Sequence, residues 1–67
     1  MAQKNIGSTI RILRRSRGET QSSLAKKAGI NRVTLTHIEN GNSKPDFDTV
    51  ERLAKALKTP MAKLLAA

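Results

Sequence analysis

The chain has 67 residues, no cysteine, one aromatic residue, and thirteen lysines and arginines against five acidic residues, a formal net charge of +8. A chain this short forms one domain that buries only about 60% of its unfolded surface, and the lack of cysteine excludes disulfide staples, thiolate metal sites and thiol catalysis. The charge implies an anionic partner, expected along the first two thirds of the chain, because residues 1–44 carry nine bases and two acids while residues 45–67 carry four bases and three acids.

Taken in chain order, the pattern predicts five short helices and no strand. The first runs from about Ile6 to Arg17, with Ile6, Ile10 and Leu13 at helical spacing and Gly18 ending it. Thr20 caps a second, Gln21 to Ala28, whose Leu24, Ala25 and Ala28 face inward, and Gly29 stops it. Asn31 caps a third that continues to Asn40 and ends at Gly41. Only Gly29, Ile30 and Asn31 separate helices two and three, so the two must cross steeply, with Ala25 allowing close approach and Ile30 filling the corner. Asp46 caps a fourth, Phe47 to Leu57, with Phe47, Val50, Leu53, Ala54 and Leu57 as its apolar stripe. In "TPMAKLL", Thr59 caps a fifth with Pro60 at its first position, and Met61, Leu64 and Leu65 are read in part as core.

The stretch "NRVTLTHIEN" poses a question of orientation. Leu35 and Ile38 suit a core, yet Val33, Thr36 and His37 share the helix and point elsewhere at about 100° per residue. A solvated face with one incidental valine is the plain reading.

The residues also carry a resemblance. The "IR.LR" of helix one, "TQ" opening helix two, "LA.KAGI" through the turn, "IENG" closing helix three, Pro45, and "LAKAL" in helix four resemble the helix-turn-helix domains of the lambda repressor and Cro family, over residues 6–65. The resemblance implies an all-α, five-helix lambda-repressor-like fold filling residues 1–67, with the helix-turn-helix at about 21–40. It also implies that helix three docks in the DNA major groove and the start of helix two abuts the backbone. Carried onto this chain, base contacts fall to Arg32, Val33, Thr36 and His37, and phosphate contacts to Gln21, Asn31, Asn40 and Lys44. Arg32 can then present its fork to guanine and Val33 can meet a thymine methyl, which accounts for the outward valine. Arg14 and Glu39 are implied as a partly buried bridge between helices one and three. The chain departs from the family twice. Glu19 replaces a usual leucine, and Ser23 stands where a glutamate often completes a capping box, so a weaker cap and a less stable monomer are expected.

Other chemistries find no support. His37 is the only histidine and Glu39 lies on another side of its helix, so neither a metal site nor catalysis is expected, and no cofactor is implied. Ser8, Ser22 and Ser23 lack a recognisable general base. Helix one lacks the apolar face of a membrane-surface helix, no apolar run nears the roughly 20 residues of a membrane span, and the near absence of aromatics argues against single-stranded nucleic acid. A cytoplasmic protein of a bacterium or phage is expected.

The resemblance implies a homodimer, joined near its last two helices, reading a pseudo-palindromic operator as a transcriptional regulator, first as a repressor. A second class implied by the family is an antitoxin that binds both DNA and a toxin protein. A third is a controller of restriction-modification genes.

Overall fold

Each of three helices begins where the sequence offers a side-chain oxygen to unpaired backbone N–H groups. In the computed structural model, which describes residues 6–65, five helices follow one another: α1 (Ile6–Ser16), α2 (Gln21–Ala28), α3 (Arg32–Glu39), α4 (Phe47–Leu57) and α5 (Met61–Leu65). The outer ends of the expected 1–67 domain lie outside the described residues, and no strand occurs within them.

Asn31 Oδ1 accepts the Val33 N–H at 2.7 Å to start α3, and Asp46 Oδ1 accepts the Thr49 N–H at 2.8 Å to start α4. The cap of α2 corrects an expectation. Thr20 Oγ1 accepts from the Ser23 N–H and Ser23 Oγ accepts from the Thr20 N–H, each at 3.0 Å, so the short hydroxyl of Ser23 completes the reciprocal box that a glutamate usually makes. Glu19 adds to this end of the helix by accepting from Ser23 and pairing with Lys27. Helix α1 ends at Ser16, one residue before the expected end. The Arg17 side chain instead donates to the Leu57 carbonyl at the end of α4. Helix α5 starts at Met61, with the Pro60 carbonyl accepting the Lys63 N–H at 3.0 Å.

Gly29 takes φ of 71° at the end of α2, the left-handed geometry that a steep turn into α3 requires. Lys58 takes φ of 54° at the end of α4, the only described residue other than glycine with positive φ.

The core gathers Ile10 of α1, Leu24, Ala25 and Ala28 of α2, Leu35 and Ile38 of α3, Val50, Leu53, Ala54 and Leu57 of α4, and Leu64 of α5. Burying a side chain of leucine size stabilises by about 1.5–3 kcal/mol, so this cluster carries the fold. Ile6, Leu13, Ile30 and Met61 pack against its edge. Helix α4 lies against α2 and α5, and α3 rests on α1 and α2. Two expected core residues are exposed. Phe47 is 69% and Leu65 58% accessible, because Phe47 stands at the very start of α4, a turn before Val50, and Leu65 points about 100° away from the buried Leu64. Among the described residues, no helix is long and apolar enough to cross a membrane.

Candidate nucleic-acid interface

Helix α3 divides into two faces. Leu35, Ile38 and Glu39 are buried, whereas Arg32, Val33, Thr34 and His37 are exposed and Thr36 is half-buried between them. Val33 is 53% accessible, and among the described residues no side-chain hydrogen bond to another element holds Arg32 or His37. These side chains project from the fold without being needed by it.

What fixes the angle of this helix is a polar seam. Glu39, with its side chain wholly buried, receives the Arg14 guanidinium through two bonds, Nε to Oε2 at 2.8 Å and Nη2 to Oε1 at 3.1 Å. Arg14 Nη1 donates to the Glu19 carbonyl at 2.8 Å, tying the loop before α2 to the same group. Arg11 approaches Glu39 Oε1 through Nε at 3.4 Å, and Gln21 Nε2 donates to that oxygen at 3.1 Å. Burial would push the Glu39 carboxyl up, but the bonds from Arg14, Gln21 and Arg11 outweigh it and hold the group below the ordinary glutamate range. Glu39 is therefore a carboxylate that only accepts.

The sequence-derived residues fall into distinct surroundings. Gln21 is half-buried at the first position of α2, and both ends of its amide are engaged: Nε2 on Glu39, Oε1 near Thr36. One amide hydrogen of Gln21 remains for an outside acceptor. Thr36 Oγ1 lies 3.0 Å from Gln21 Oε1 and 3.0 Å from the Arg32 carbonyl, so its single proton is directed inward. Asn31 uses its carbonyl oxygen as the cap of α3, which leaves its amide nitrogen. Asn40 ends α3, and its Oδ1 accepts from Arg11 Nη2 at 2.6 Å. Lys44 is exposed in the loop that follows.

Sequence reasoning missed Arg11 and the bridging role of Gln21. Arg11 stands three residues before Arg14, and hence on the same side of α1, a spacing that could have paired both with one acid. Arg11, Arg15, Gln21 and Arg32 line one open depression beside the starts of α2 and α3. This cluster of guanidiniums makes the depression suited to an anion. Among the described residues, no group of three His, Cys, Asp or Glu comes together.

Comparison with known proteins gives these features a context. A helix-turn-helix family model matches residues 10–64. An HTH-type transcriptional regulator of Bacillus subtilis, RghRB, is 42% identical over 62 residues, covering 91% of this chain and 45% of that protein. The chain spans about half or less of the length of the curated relatives it matches first. The DNA-binding domain of the P22 c2 repressor superposes with a TM-score of 0.90 at 28% identity, covering 97% of this chain and 86% of that one. SinR, a master regulator for biofilm formation seen in complex with DNA, gives a TM-score of 0.86 at 31% identity, covering 90% of this chain and 97% of that one. The relatives are transcription regulators, and the fold, the helix order and the family match agree. The chain belongs to the helix-turn-helix family, in its lambda-repressor-like branch.

Proposed function

We propose that this domain binds duplex DNA as a sequence-specific transcriptional regulator, with α3 in the major groove. The observation that carries the reading is the outward face of α3, where Arg32, Val33 and His37 stand exposed on a helix locked in place by a buried carboxylate. Arg32 reads guanine through its fork and Val33 meets a thymine methyl, while His37 donates to a base edge or phosphate. Thr36, its proton turned inward, offers the groove its methyl and an acceptor. Gln21, Asn31, Asn40 and Lys44 hold the phosphates on either side of the helix. The relatives named as regulators, and one solved with DNA, support this assignment.

The whole chain acts as one such domain, with residues 21–40 as its helix-turn-helix. It represses from a pseudo-palindromic operator as a homodimer in the cytoplasm, and it has no catalytic role. The exposed Phe47 and Leu65 beside α4 and α5 supply apolar surface for the two-fold contact. The same surface would serve a toxin partner, and a toxin gene beside this one would turn the reading towards an antitoxin; an adjacent methylase and nuclease would turn it towards a controller.

The test is selection of the purified protein against a random duplex library, with sequencing and anisotropy titration at two salt concentrations. A palindrome is expected to be enriched, with affinity falling steeply as salt rises. Uniform binding with nothing enriched would refute a sequence-specific regulator.

A further inference from the structure

Among the described residues, Arg11 is the one side chain that links the buried acid to the outer end of the recognition helix. Its Nη2 lies 3.1 Å from the Glu39 carbonyl and 2.6 Å from Asn40 Oδ1, while Nε faces Glu39 Oε1. An asparagine at an exposed helix end ordinarily rotates freely and shows oxygen or nitrogen to a neighbour equally well. A guanidinium has no acceptor, so it can hold only the oxygen. Asn40 Nδ2, with two protons, is then the atom left to point away from α1.

We propose that Arg11 is a positioning residue for DNA binding: by holding Asn40 Oδ1 it aims the Asn40 amide nitrogen outward as a donor to a backbone phosphate. The inference rests on the duplex-binding reading above. A phosphate accepts and never donates, so an asparagine turned the other way would set oxygen against oxygen. The anchor is rigid at its root. Arg11 stays against Glu39, which Arg14 and Gln21 fix in turn, and the backbone N–H of Asn40 is bonded to the Thr36 carbonyl at 3.0 Å. A phosphate held there would therefore set how far α3 slides along the groove. Lysine in place of Arg11 keeps the charge but not the planar fork, which must serve Glu39 and Asn40 together.

The experiment is a double-mutant cycle read by anisotropy on the duplex enriched in the selection, using Arg11→Lys, Asn40→Ala and the pair, with each variant's fold checked by circular dichroism. Asn40→Ala is expected to weaken binding roughly tenfold and Arg11→Lys about fivefold, the scale of one bond to a charged group lost or misaimed. The double variant should bind no more weakly than Asn40→Ala alone. Additive losses would overturn the proposal, because they mean that Arg11 grips DNA by itself. In the unaltered protein, the Asn40 side-chain amide resonances should shift on adding the duplex, and their failure to move would also overturn it. Failure of the unaltered protein to bind any duplex would instead remove the regulator reading, and this inference with it.

Discussion

The α4 side of this domain and the seam between α1, α2 and α3 solve different problems with different chemistry. Around α4 the buried contacts are apolar: Val50, Leu53, Ala54 and Leu57 pack against α2 and α5, and no charged residue of α4 is buried. In the seam the only buried charges among the described residues, Arg14 and Glu39, meet with Gln21 and Arg11 around one carboxylate. Apolar packing stabilises without fixing direction, whereas a planar guanidinium on a carboxylate allows one geometry and loses much of its attraction to desolvation. The difference teaches that stability and the aim of α3 are separable here, and substitutions should separate them.

The largest loss of stability should come from the apolar side. Leu53→Ala opens a cavity at a fully buried site and is expected to cost about 4 kcal/mol, enough to unfold much of so small a domain at room temperature. A urea melt checks this, and the surviving folded fraction should still bind the selected duplex with normal affinity.

Glu39→Ala strikes the seam instead. It leaves Arg14 buried without its partner and should cost about 3 kcal/mol, and it should also weaken DNA binding although it removes no DNA contact. Unchanged melting and affinity would break the comparison. The pH dependence sharpens it. The folded carboxyl of Glu39 lies below its unfolded value, so its contribution is present above about pH 4.3 and is lost as pH falls through the folded value. Urea melts between pH 7 and 3 should show a shallower acid loss in Glu39→Gln than in the unaltered protein.

Arg32→Ala addresses the face that the seam presents. Melting should stay the same, since Arg32 is exposed, while affinity falls by about 1–3 kcal/mol and preference relaxes at one base pair of each half-site. Smallest of all, Lys58→Gly should raise the melting temperature by an amount equivalent to about 0.5–1 kcal/mol, because glycine accepts the left-handed turn at the end of α4 without strain.

Much of this was legible in the sequence, for reasons that differ by region. Helices α2 and α4 have the expected bounds because their caps, Thr20 and Asp46, and their apolar spacing agree. Leu24, Leu35 and Leu53 proved core because each lies mid-helix on its stripe, and Leu57 proved core at the end of α4 on the same stripe. Phe47 and Leu65 did not, since periodicity gives the side of a helix but not where the neighbouring element ends. The Ser23 half of the capping box was missed because the usual signal is a longer acid or amide. In the candidate site the exposed residues of α3 could be named from motif positions. Their surroundings could not: that Gln21 spans Glu39 and Thr36, or that Arg11 holds Asn40, depends on how three helices meet.

The central claim is that α3, held by the Glu39 seam, is the surface that enters DNA. The most direct test is an amide NMR titration of the protein with the selected duplex. The account predicts the largest shifts at Arg32, Val33, Thr36 and His37, with Gln21 and Asn40 marking the flanking phosphates. Shifts centred on α4 and α5, with residues 31–40 unmoved, would contradict it.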